Sequence, residues 1–162
     1  MNADAFRHFY EYHFNENRTI WNKYIMSLTD EQFVQPVAYS HESVRDQVVH
    51  IMSVDGAWFS DLRGVEFTGH LNPEDFNDRA VIRAHWDTVE QNMRDYLANL
   101  QDDMLSQNPF PAGEDENLLL WQVLLHVANH GTDHRAQLLR YLNDLGIKTT
   151  SQDYIFFVYD NP

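Results

Sequence analysis

The segment HVANHGTDHRAQ, His126 to Gln137, carries three histidines at four-residue intervals in a chain that has nine histidines and no cysteine. Imidazoles one helical turn apart lie on nearly the same face, about 6 Å apart along the axis, and a pair of them can reach one ion through metal–nitrogen bonds of about 2.0–2.1 Å. His126 and His134 are about 12 Å apart on such a helix, too far to share an ion. Only one adjacent pair can therefore serve.

The apolar register selects the pair. Leu124, Gly131, Leu138 and Leu145 form one core line at heptad spacing, and Val127, His134 and Tyr141 form the second, so His134 points inward. His130 flanks that seam beside Val123 and Gln137, whereas His126 falls on the line of Leu119, Asp133 and Arg140 and turns toward solvent. The expected ligands from this segment are His130 and His134. Gly131 removes a side chain from a core position between them, which suggests a cavity. A third ligand has to come from another helix. His50 is the best candidate, flanked by Val48, Val49 and Ile51 on a second apolar stripe. The competing reading is three half-buried histidines satisfied by hydrogen bonds. His8, His13, His41, His70 and His85 read as surface or hydrogen-bonded histidines.

Three neutral imidazoles with no carboxylate suit zinc, nickel or iron and leave positions open for water or substrate, in the manner of a catalytic site. With no cysteine in the chain, thiolate ligands, disulfides and a cysteine nucleophile are all excluded.

Four segments with helical periodicity must position these residues. The first runs from Phe6 to Leu28, with a break at Thr29–Asp30. The second is capped by Ser43 and stopped by Gly64. The third is capped by Asn77 or Asp78 and runs to about Gln101. The fourth begins at Asp115, runs through Leu145 and is closed by Gly146. The stretch from Asp102 to Glu116 reads as a loop, and the apolar tail Tyr154–Tyr159 as a short helix packed back on the body. The expected fold is all-α: one domain over residues 1–162, a four-helix bundle with a metal site between the second and fourth helices.

The 162 residues include 25 Asp and Glu against 11 Lys and Arg, a formal charge of -14 that disfavours nucleic acids and anionic membranes. The N-terminus has neither a basic leader nor a continuous apolar run, so a cytoplasmic location is expected.

The runs SVRDQVVHI (Ser43–Ile51), DGAWF (Asp55–Phe59) and NHGTDHRAQLLRYL (Asn129–Leu142) resemble those of the DinB-like, or YfiT-like, metal-dependent proteins. The similarity extends over nearly the whole chain, including HFNENRTIW, and departs from the frequent HRGQ at Ala136. The resemblance implies a four-helix bundle with a divalent ion on His50, His130 and His134, zinc or nickel first and iron or manganese as alternatives. It also implies a homodimer, for which the many aromatic residues are a second motive. Characterised relatives include thiol-dependent transferases and an isomerase, so the expected activity is thiol S-transfer or hydrolysis on a small electrophilic substrate. A low-molecular-weight thiol would be the co-substrate; a non-catalytic bundle with a structural or sensory ion is the alternative.

Asp55, one turn past His50, is a candidate to orient a ligand or act as acid/base, or is a solvated carboxylate. Asn129 and Gln137 are candidates for bonds behind the ligands or for outward placement. Arg135 is read as a surface ion pair, with contact to an anionic substrate as the alternative, and Trp58 and Trp86 as core, with a role as substrate platforms as the alternative.

Overall fold

In the computed structural model, which describes every residue except Tyr39, Thr68, Pro111, Glu114 and Pro162, the described residues form helices, turns and loops with no strand. The helices are α1 (Ala3–Lys23), α2 (Asp30–Val34), α3 (Val44–Leu62), α4 (Arg79–Ala98), α5 (Leu120–Asp144) and α6 (Tyr154–Asp160), with single 3-10 turns at Ile25–Ser27, Pro73–Asp75 and Asp102–Ser106. The second expected helix is α3 and the fourth is α5.

Side-chain caps set most of the starts. Asn2 accepts from the Ala5 amide, Ser43 from Asp46 and Asp78 from Ala80, each satisfying a donor that the first helical turn leaves free. Thr29 and Gln32 cap α2 reciprocally, a short helix that falls where only a connecting piece was expected. Gly64 (φ 62) and Gly146 (φ 82) adopt the left-handed conformation just past α3 and α5. The helix α5 starts five residues later than expected from Asp115. Residues 115–117 close a turn instead, with Leu118 N–H bonded to Asp115 O. Leu119 is extended (ψ 149), its N–H held by the Gln122 side chain at 2.8 Å.

Among the long helices, α3 packs on α5 and α4, and α1 packs on α5 and α4, giving the cycle α1–α4–α3–α5. One apolar cluster draws on all four, including Tyr10, Ile51, Met52, Trp86, Leu124 and Leu138. Trp86 is core, as expected, set edge-on to Trp21; Trp58 is only half-buried. No helix among the described residues is long and apolar enough to cross a membrane. The short α6 lays Tyr154 and Phe157 against His8, Phe9 and Tyr12 of α1.

The α1–α5 contact corrects one expectation. Gly131 does not open a cavity: a Cβ there would lie 2.4 Å from Cε1 and 2.8 Å from Nδ1 of His13, so the His13 ring occupies the space. That ring is fully buried and hydrogen-bonded on both nitrogens, so it cannot swing aside. Gly131→Ala should therefore destabilise the protein. Overpacking costs about 1–3 kcal/mol, against roughly 1 kcal/mol gained in helix propensity. A urea midpoint below that of the wild type is the expected outcome; a higher one would contradict this packing.

Candidate metal centre

The residue His50 sits at the end of the second turn of α3, and its register places it against α5, where His130 and His134 project one turn apart. The Nε2 atoms of His50 and His130 are 3.1 Å apart. Ring centroids of His50 and His134 lie 4.4 Å apart, and those of His130 and His134 lie 4.2 Å apart. A fourth ring joins them from the α2–α3 loop. His41 stacks on His50 at 3.9 Å, and one ligand atom each of His41, His50 and His134 lie within 4.8 Å of one another. All four rings are half-buried. His126 is exposed, its ring centroid 6.1 Å from that of His130, as its position on the solvent line requires.

His41 was expected in a connection, as a surface or hydrogen-bonded histidine and not as part of the cluster. Helical periodicity says nothing about a loop residue, and the available signal was only that it stands two residues before the cap Ser43. The chain turns through Ser40 in the left-handed region (φ 52), and the Tyr141 hydroxyl donates to the His41 carbonyl at 2.8 Å. These two features aim the ring inward.

The donor set fits a divalent transition metal. Two nitrogens bound to one ion at about 2.0–2.1 Å, between right-angled and tetrahedral geometry, would be roughly 2.9–3.4 Å apart. The His50–His130 separation falls in that range. An all-imidazole set suits zinc, nickel, copper or iron, and not the oxygen-seeking magnesium or calcium. Behind His134, the fully buried Gln47 places Nε2 2.7 Å from Nδ1 and donates to the His134 carbonyl at 3.0 Å. Turning that amide over would present Oε1 to an Nδ1–H and leave Nε2 of His134 free for an ion. Gln137, whose sequence reading was open, lies beside this amide at 3.4 Å.

Burial and mutual repulsion keep the imidazoles neutral. The His50 pKa is pushed down to about 3, first by burial and then by His41, His134, His130 and His70. His130 is pushed to about 4 by burial and then by His134 and His126. Burial also lowers His41 and His134.

Asp55 faces elsewhere. It is fully buried, and its Oδ2 lies 3.1 Å from Nε2 of His13, which is likewise fully buried and, of the two expected placements, is the hydrogen-bonded one. Arg135, read from sequence as a surface ion pair, is 1% exposed. Its Nη1 donates to Nδ1 of His13 (3.1 Å) and Oδ1 of Asn17 (3.0 Å), Nη2 to Thr132 and Nε to Gln152. A guanidinium only donates, so Nδ1 of His13 accepts and its Nε2–H donates to Asp55. Asp55 thus ties α1 to α3, and the partner it meets in this structure is His13 of α1. Asn129 is exposed.

A cavity of about 210 Å³ between α3 and α4, lined by Gly56, Phe59, Arg63 and His85 among others, lies on another face of α3. At 100° per residue, Gly56 and Ser60 point roughly 120° and 80° away from His50. The metal centre is therefore bordered differently, by Trp58 packed on His126 (5.2 Å) and on Phe110 (6.1 Å).

Two outcomes follow from this geometry. The unfolded chain protonates its histidines near pH 6.5, while folded His50 and His130 stay neutral to about 3 and about 4. Below pH 6.5 the unfolded state therefore binds more protons, and stability of the metal-free protein is full above that pH and falls on acidification toward pH 4. Urea midpoints from pH 7.5 to 4.5 should show this decline, and it should be smaller in His50→Gln. Separately, Asp55→Asn leaves Arg135 buried without its counter-charge and should cost about 3–5 kcal/mol, while folded protein keeps its metal content. Loss of the ion with stability intact would place Asp55 at the metal instead.

Comparison with curated proteins found no match. The model of the DinB family matches residues 1–161, and the helices and the three imidazoles that converge in a set able to hold a metal, those of His41, His50 and His134, all lie within that span. The chain belongs to the DinB family.

Proposed function

We propose that this protein is a metal-dependent enzyme built on a single four-helix bundle, in which His50 of α3 and His130 and His134 of α5 hold one divalent ion. The observation that carries the reading is the meeting of these imidazoles from two helices, Nε2 to Nε2 at 3.1 Å for His50 and His130, in a set without a carboxylate. Zinc or nickel fits first, with iron or manganese as alternatives. Such an ion supplies a lowered pKa to a bound water or thiol, which becomes a nucleophile near neutral pH.

The chain's own residues set the rest. Gln47 fixes the His134 ring from behind. Trp58, His126 and Phe110 form an aromatic border beside His130, suited to a small electrophile with an apolar part. With no cysteine in the chain, sulfur for a transfer reaction comes from a low-molecular-weight thiol. The reaction class is thiol S-transfer, with hydrolysis by bound water as the related alternative.

A non-catalytic role has one observation in its favour: His41 offers a fourth imidazole, and four protein ligands would close the shell.

Purified protein should carry about one divalent ion per chain by elemental analysis. His50→Ala and His134→Ala should abolish binding, and His126→Ala should leave it intact. Metal-loaded protein with a haloarene or epoxide and glutathione, cysteine or bacillithiol in turn should show metal-dependent thiol conjugation. Turnover of activated esters that falls on adding thiol would indicate hydrolysis, and silence in both assays would favour the non-catalytic role.

A further inference from the structure

Among the four histidines of the centre, His41 differs in the element that carries it. His50, His130 and His134 stand on the long helices α3 and α5, whose backbones are held by continuous hydrogen bonding and by packing on each other. His41 stands on the loop between α2 and α3, where the bonds among the described residues include Tyr141 Oη to the His41 carbonyl (2.8 Å) and Val37 N–H to the Glu42 carbonyl (2.7 Å). Its ring lies on the His50 ring at 3.9 Å with an interplanar angle of 29°, so it covers the centre from the loop side. Immediately before it, Ser40 takes a left-handed φ of 52, a conformation that costs a non-glycine residue energy and persists where something else requires it.

Given the metal reading above, on which this step rests, we propose that His41 is a fourth and exchangeable ligand. It coordinates the ion in the resting protein and leaves when an outside ligand arrives, while His50, His130 and His134 stay bound. Its nitrogen is already within 4.8 Å of those of His50 and His134. Withdrawing it moves a side chain on a loop, whereas the other three ligands are anchored on helices that pack against each other. The exchange reconciles a shell that four imidazoles can close with a site that must admit a substrate. It also gives the loop a function: the loop keeps an ion from binding stray ligands until a better one competes. A tethered competitor lowers the apparent affinity of every incoming ligand by the fraction of time it occupies the position.

The test uses the full chain loaded with cobalt(II), whose visible absorption is strong in four-coordinate and weak in five- or six-coordinate sites, and azide as the incoming ligand. His41→Ala and the volume-conserving His41→Gln are compared with wild type, and circular dichroism is recorded for each. Both variants should bind cobalt, show a severalfold weaker visible band, and bind azide severalfold more tightly. Spectra and azide affinities equal to wild type in both variants would overturn the proposal, since His41 would then not be a ligand. Folded variants that lose cobalt altogether would also overturn it, because a ligand the ion cannot lose is not exchangeable. Failure of the wild type itself to bind cobalt would instead remove the metal reading on which the proposal stands.

Discussion

A buried guanidinium has to be answered inside the protein, and the structure is arranged around that requirement. Arg135 is 1% exposed, and its counter-charge, the fully buried Asp55, is reached through the neutral ring of His13. Arginine stays charged at any ordinary pH, and an isolated charge in an apolar interior is prohibitively costly. The helices that carry its partners are thereby fixed: α1 supplies His13 and Asn17, α3 supplies Asp55, and the segment after α5 supplies Gln152. Gly131 completes the arrangement by leaving room for the His13 ring against α5.

The metal centre inherits its geometry from this lock. Arg135 follows His134 directly, and Asp55 lies five residues after His50 on the same helix. The network that seals α1, α3 and α5 therefore also sets the distance between the two helices that bring His50, His130 and His134 together. Two polar clusters sit side by side with opposite designs. One is sealed and charged, with Asp55 Oδ1 its one oxygen left without a partner among the described residues; the other is half-buried, composed of neutral imidazoles and bordered by Trp58 and His126. The first ties the helices together, and the second offers imidazole nitrogens close enough to hold a metal ion.

The ties extend to the C-terminal segment. Tyr12 donates to the Gln152 carbonyl at 2.6 Å, and Tyr24 and Thr150 share a bond of 2.9 Å, so the chain leaving α5 runs back along α1 and delivers α6 to its aromatic face. At the far side of α1, Glu90 of α4 is 5% exposed and binds Arg18 and Arg94, the last at 2.7 Å.

Amphipathic periodicity alone placed the long helices, because a helix face must be apolar every three or four residues to enter a core, and the caps Ser43 and Asp78 and the stop at Gly146 were legible because their chemistry is local. The same periodicity set His126 apart from His130 and His134. Sequence reasoning read Arg135 as a surface ion pair and left His41 and His13 as surface or hydrogen-bonded, and only the tertiary structure brought all three inward. A loop has no period from which to read the direction of His41. Burial of Arg135 and His13 depends on partners 118, 122 and 42 residues distant along the chain, and only folding brings those together. Gly131 illustrates the limit most plainly: the missing side chain was visible in the sequence, but whether a ligand or a histidine filled the gap depended on how α1 packs against α5.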